Sequence, residues 1–235
     1  MKKITAIIGS PIKERSNTGT LVKDFLEMVK SFDNTIQYEV IILGEKNVAM
    51  CKGCWSCTQK GSCVIIDDLQ ELQEKLLTSD LIILGSPVYV QHVSAQFKAF
   101  TDRLFIWFHT LRLIGKPALT AITTSRTGIR PTEKYLNMIL FLLGTIPIGH
   151  LRGIAYRPGE FPQRDQIKRK YKKLARKTAL ILSGQEKVRP KVLNRYYFWG
   201  MKMKAKHGGS QLPFENEYWK KKGWFNKSFC QAAKI

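Results

Sequence analysis

Short apolar runs alternate with stretches of helical spacing along most of this chain. Ile4 to Ile8 is the first run; it stops at Gly9-Ser10-Pro11, and apolar positions then recur at Leu21, Phe25, Met28 and Val29. That spacing predicts a strand, a loop and a helix over residues 18–32. A second strand is predicted over residues 36–43 from its β-branched and aromatic content. Residues 44–66 show no period and read as one long irregular segment. Asp67-Asp68 then stands at a helix start, and Leu69, Leu72 and Leu76 give that helix its buried stripe. Asp80 to Gly85 is a continuous apolar run, as expected of a parallel strand covered on both faces. It leads into Ser86-Pro87-Val88-Tyr89-Val90 and a single helix carrying Val93, Phe97, Phe100 and Leu104. A strand over residues 117–123, a helix over 131–143 and a strand within 146–155 follow. A basic helix with Ile167, Tyr171, Leu174, Thr178 and Leu182 completes the pattern.

Repeated alternation of strand and helix implies right-handed crossovers and a parallel sheet with helices on both faces, an α/β fold. Ligands of such sheets sit beyond the carboxyl ends of the strands, where strand order reverses. Three polar loops, over residues 10–20, 86–91 and 123–128, fall at that edge. The first gathers Ser10, Lys13, Ser16, Asn17 and Thr18 at a helix start, where cations and free backbone N–H groups suit a phosphate. Capping of the helix by Ser16 or Thr18 is the plainer role for the same hydroxyls. Tyr89 in the second loop is an aromatic fit to lie beside a ring. Thr124, Ser125 and Gly128 in the third offer hydroxyls and backbone donors. The three loops together describe a mononucleotide site.

No apolar run reaches the ~18 residues of a membrane span, and the longest, Met138 to Gly149, contains Pro147. Met1-Lys2-Lys3 resembles the start of a signal peptide, but the apolar stretch behind it ends at Ser10, so a cytoplasmic setting is expected. The cysteines agree: Cys51, Cys54, Cys57 and Cys63 crowd into one loop, which suits metal binding better than a secreted disulfide framework. Charge is spread unevenly. Residues 1–150 carry 17 Lys/Arg against 13 Asp/Glu, whereas residues 151–235 carry 22 against 5.

The phosphate-type loop Gly9-Ser10-Pro11 with Asn17-Thr18 resembles that of flavodoxin-like NAD(P)H-dependent FMN reductases. The run Gly85-Ser86-Pro87-Val88-Tyr89, followed by Lys98-Ala99-Phe100 and Asp102-Arg103, is similar to that family's most characteristic block. The resemblance covers residues 1–183. It implies a doubly wound, five-stranded parallel sheet of order 2-1-3-4-5 and a homodimer or homotetramer in which a neighbouring subunit completes the flavin pocket. It also implies FMN held by Ser10, Lys13, Ser16, Asn17 and Thr18 at the phosphate and by Pro87, Val88 and Tyr89 at the ring. Thr124, Ser125 and Gly128 match only as a loop position. The implied activity is transfer of electrons from NAD(P)H through FMN to a small acceptor such as a quinone or flavin. No catalytic triad or carboxylate pair is required, because flavin carries the chemistry. Of the four histidines only His92 falls near a ligand loop.

Cys51-x2-Cys54-x2-Cys57-x5-Cys63 supplies four thiolates, the ligand count of a [4Fe-4S] cluster and equally of a zinc site. The spacing resembles that of iron–sulfur flavoproteins. Reduced thiols in an active-site loop are the third reading. A cluster would favour a different activity: an electron carrier fed by a protein donor such as ferredoxin.

Residues 184–235 lie outside the core pattern and form a basic, aromatic extension. Aromatics this dense are expected to pack, through Trp199, Trp219 and Trp224, on the core or on a partner subunit. A membrane surface is less favoured, and nucleic acid least, since no nucleic-acid-binding motif is present.

Overall fold

The computed structural model describes residues 1–162, 164–207 and 212–235. Five strands, β1 (Lys3–Ile8), β2 (Gln37–Ile42), β3 (Leu81–Pro87), β4 (Pro117–Thr124) and β5 (Ile146–Ile154), form one parallel sheet in the order β2-β1-β3-β4-β5. That order is flavodoxin-like, and strand order reverses at β1/β3. Side chains of alternating strand positions feed two separate cores. Ile7, Ile82, Leu84 and Ile122 face α3 (Leu69–Thr78), α4 (Ala95–Asp102) and α6 (Ile129–Leu142), while Ile4, Ile8, Leu81 and Ile83 face α1 (Asn17–Phe32) and α7 (Arg164–Leu182). Because both faces are covered, β3 is buried along almost its whole length, which is why it reads as an unbroken apolar run. β5 is an edge strand, as is β2, and the β4–β5 register slips between Ala118 and Leu119 of β4, where Pro147 sits opposite, as proline confined to an edge strand requires.

Two stretches differ from the elements predicted. The helix expected through Leu104 breaks: α4 stops at Asp102, and α5 (Phe105–His109) restarts after it. At the break the Thr101 hydroxyl donates to the carbonyls of Phe97 and Lys98, and Leu104 N–H bonds Thr101 O at 3.0 Å, tightening the turn. The segment over residues 44–66 is not wholly irregular. It contains α2 (Ser56–Lys60), bounded by Trp55 at φ 60° and Gly61 at φ 75°.

The extension folds as α8 (Val192–His207), α9 (Pro213–Lys222) and α10 (Phe229–Ala233) around a third apolar cluster with Leu111 and Ile146 of the core. Trp219 is fully buried and donates its indole N–H to His109 O at 2.9 Å; Trp224 is also buried. Trp199 does not pack on the core: it lies on the outer face of α8 and is 58% exposed, and Phe198 is the residue of that turn that packs inward. Trp199→Ala should therefore change stability by no more than about 0.5 kcal/mol in urea unfolding. No helix among the described residues is long and apolar enough to cross a membrane.

Candidate functional site

The carboxyl edge of the sheet carries a cavity of about 240 Å³. Its first wall is the loop after β1. Gly9 N–H continues the ladder to Gly85 O at 2.7 Å, and a Cβ at Gly9 would lie 2.5 Å from the Cβ of Phe97, so only glycine lets α4 approach here. Ser10 folds its hydroxyl back on the loop, donating to Ile12 O at 2.9 Å and accepting from Ile12 N–H at 3.2 Å. Ser16 is the N-cap of α1 and accepts from Gly19 N–H at 3.0 Å. The first turn of α1 has no acidic residue, and the amides of Asn17 and Thr18 have no partner within the helix. A helix start of this kind attracts an anion. Arg15 and Arg157 add positive charge to the lining, which holds no carboxylate.

The second wall is the segment after β3. Tyr89 and His92 exchange backbone hydrogen bonds of 2.8 and 3.0 Å around Val90 and Gln91, at φ 47° and 68°. Both central residues are left-handed, the geometry of a type I′ turn, yet neither is glycine or asparagine. Val90 is β-branched and 99% exposed, so this turn stores strain of about 1–3 kcal/mol beside the cavity. Pro87, Val88 and Tyr89 line the cavity. Gln91 ties the turn to the third loop by donating to the Thr127 hydroxyl at 2.7 Å.

Thr123, Thr124 and Ser125 form the third wall. The hydroxyls of Thr18 and Thr123 meet at 2.5 Å and lock the first and third loops together. A fourth wall, Ala155 to Pro158 after β5, is the part that sequence reasoning missed. Asn17 donates its side-chain amide to Arg157 O at 2.7 Å, and Arg15 donates to Pro158 O at 3.2 Å. The clue was available: Tyr156-Arg157-Pro158-Gly159 follows the last strand, at the same sheet edge as the other loops.

Of the predicted ligand residues, the structure gathers Ser10, Ser16, Asn17, Thr18, Pro87, Val88, Tyr89, Thr124 and Ser125 around this cavity. Lys13 is exposed and outside the lining, where Arg15 stands instead. Gly128 is also outside it; at φ 86° it begins α6, and a Cβ there would lie 2.5 Å from Val88 Cγ1. His92 faces away, its ring 4.7 Å from that of Tyr135 along a separate groove.

All four clustered cysteines line a second cavity of about 190 Å³, with Trp55, Asp102, Arg103 and Phe105. Cys51 and Cys54 are exposed; Cys57 and Cys63 are partly buried. Burial, followed by the repulsion of the three neighbouring thiols, pushes the Cys57 thiol up. Among the described residues no three His, Cys, Asp or Glu side chains converge closely enough to hold an ion as they stand. Arg103 and Asp67 pin this loop. Arg103 is fully buried, ion-pairs with Asp67, and donates to Ala49 O and Ile65 O at 3.1 and 3.0 Å. Asp67 accepts in turn from Ala49 N–H and Leu69 N–H at 2.9 and 3.0 Å.

A flavodoxin-like sheet with an anion-suited cleft at its carboxyl edge defines a mononucleotide-binding α/β protein. The profile of the NADPH-dependent FMN reductase family matches residues 2–156, and the chain belongs to that family of FMN-dependent oxidoreductases. It is 31% identical over 225 residues to an iron-sulfur flavoprotein of Archaeoglobus fulgidus, covering 94% of this chain and 99% of the relative. An iron-sulfur flavoprotein of Methanosarcina thermophila is 32% identical, covering 67% of this chain and 84% of the relative. Among solved structures, an apo NADH:FMN oxidoreductase superposes with a TM-score of 0.55 at 20% identity, over 76% of this chain and 90% of that one, a likeness of fold.

Proposed function

We propose that this protein binds FMN in the carboxyl-edge cavity and passes electrons from NAD(P)H to a small acceptor such as a quinone or a flavin. The observation that carries this reading is the carboxylate-free cleft at the start of α1, closed by four loops of the sheet edge. Bound FMN would supply hydride acceptance and one- or two-electron transfer. The residues present fit it. The amides of Asn17 and Thr18, with Arg15, suit its phosphate. Asn17 Oδ1 is buried without a partner, an acceptor that suits a ribityl hydroxyl. Val88 and Tyr89 supply the apolar wall for the ring, and Thr124 and Ser125 a polar edge. Tyr89 is 44% exposed, so the ring face of the cleft stays open to a nicotinamide or, in a homodimer or homotetramer, to a neighbouring subunit. The basic balance of the chain suits anionic nucleotide substrates, and reduced thiols suit the cytoplasm.

A second reading is favoured by one observation, the four thiols on one cavity wall. In it the protein is an iron–sulfur flavoprotein that carries electrons from a protein donor such as ferredoxin. The donor set suits a [4Fe-4S] cluster, though the loop must draw inward for all four sulfurs to ligate. Anaerobically purified protein should release FMN rather than FAD, and NADH or NADPH should bleach it quickly. Reduction only by a protein donor, together with about four irons per chain that Cys54→Ser removes, would transfer the assignment to the carrier. Failure to bind FMN at all would overturn both.

A further inference from the structure

The extension touches the cysteine loop as well as the core. Phe214 at the start of α9 lies flat on Gly61, where a Cβ would stand 2.1 Å from the ring. Gly61 at φ 75° is the C-cap of α2, and its N–H bonds Cys57 O at 2.9 Å. Phe214, Cys57 and Cys63 each pack against the core on the α3, α4 and α6 side of the sheet. α9 cannot slide away from this contact. Glu215, beside Phe214, is buried and meets His109 Nδ1 at 3.1 Å, and Trp219 is fixed to His109 O one helical turn on. His109 ends α5, whose first residue, Phe105, lines the thiol cavity, with its ring 5.8 Å from Trp55 and 4.5 Å from His109. Thus the inner wall of the thiol cavity and the anchor of α9 are built on the same five-residue helix.

We propose that the C-terminal extension is a working part of the cysteine site: α9 clamps α2 through Phe214 on Gly61 and so sets the position of Cys57 and Cys63. Arg103 and Asp67 hold the two ends of the cysteine loop, near Ala49 and Ile65, and Arg103 also faces Cys63, but no contact of theirs reaches α2, which carries Cys57 and ends at Gly61 beside Cys63. The stretch between them includes a non-glycine left-handed residue, Trp55, and carries two exposed thiols, Cys51 and Cys54. Left to itself, such a segment opens readily, since it buries few apolar groups. The aromatic clamp is what keeps Cys57 and Cys63 half-buried. This holds whether the thiols carry a metal or stay free.

A pulse of iodoacetamide on the full-length protein, read site by site by mass spectrometry, tests it. In Phe214→Ala, alkylation of Cys57 and Cys63 should speed up by about fivefold or more, as expected when local opening is no longer opposed. Hydrogen-exchange protection of β3 and β4 should stay at the parent level. Phe214→Leu, which refills most of the volume, should return the thiol rates most of the way to the parent's. Should Phe214→Ala fail to fold, Phe214→Val, which withdraws the side chain from Gly61 while leaving part of its apolar volume, should accelerate the same two thiols to a smaller extent. Rates at Cys57 and Cys63 within about twofold of the parent, or acceleration matched by lost protection in β3 and β4, would overturn the proposal.

Discussion

Asp67→Ala should destabilise the protein by about 3–5 kcal/mol, the usual cost of leaving one member of a buried ion pair uncompensated. Arg103 stays charged at any accessible pH, and its side chain has no exposure through which water could replace the carboxylate. A simple buried pair can often be exchanged for apolar residues at little cost. This one cannot, because three backbone groups also depend on it: the carbonyl of Ala49 and the amides of Ala49 and Leu69. Each buried group left without a partner costs about 1–3 kcal/mol, so the double replacement Asp67→Leu with Arg103→Met should remain well below the parent in urea unfolding. Recovery to parental stability would show that the backbone ties contribute little. The pair also fixes a pH dependence. Burial raises the Asp67 carboxyl, but the Arg103 hydrogen bond and the two backbone amides outweigh it and hold the group below its ordinary value of 3.8. A depressed carboxyl adds stability that is complete above the unfolded value and lost as pH falls through the folded one. The cysteine loop should therefore keep its hydrogen-exchange protection down to about pH 4 and lose it below, and Asp67→Ala should abolish that step.

This pair shows where sequence reading stops. Lys98-Ala99-Phe100 and Asp102-Arg103 were visible as a block, but periodicity assigned them to one continuous helix. At the break Arg103 turns its side chain to Asp67, a residue read only as a helix-start charge; that contact is tertiary chemistry, which local spacing does not encode. The sheet was legible for the opposite reason. Burial on both faces leaves β1, β3 and β4 as apolar runs bounded by turns, and strand type follows from length and flanks alone. Three of the four cavity walls were found because each follows such a strand. The fourth follows β5, whose edge position weakens its apolar signature and hid the loop behind it. Likewise nothing in the composition separates Trp199 from Trp219; only the face that each takes, Trp199 on α8 and Trp219 on α9, decides which turns outward.

The second large effect is expected at Gly44, which carries no chemistry. Gly44 N–H donates to Ser10 O at 2.9 Å, joining the end of β2 to the loop that opens the cavity. A Cβ there would stand 2.4 Å from Pro11 O and 2.8 Å from Ser10 O. Both obstacles are backbone atoms, so no rotamer change relieves the clash, and the backbone from Ser10 to Ile12, the peptide after Pro11 above all, must move. That peptide sets the course of the chain into Ser16 and the first turn of α1, where the phosphate of FMN is proposed to bind. Gly44→Ala should therefore weaken FMN binding at least tenfold, or about 1.4 kcal/mol, by fluorescence titration. Overpacking of this kind should also lower stability by about 1–3 kcal/mol. Gly53 supplies the contrast. It sits at φ 63° in the cysteine loop with nothing near its missing Cβ, so Gly53→Ala pays only a left-handed backbone penalty of about 1–2 kcal/mol. Its FMN affinity should match the parent's, because no residue of that loop lines the cleft. If Gly44→Ala binds FMN as tightly as the parent, the phosphate lies away from the first loop, and Asn17 and Thr18 lose their proposed role.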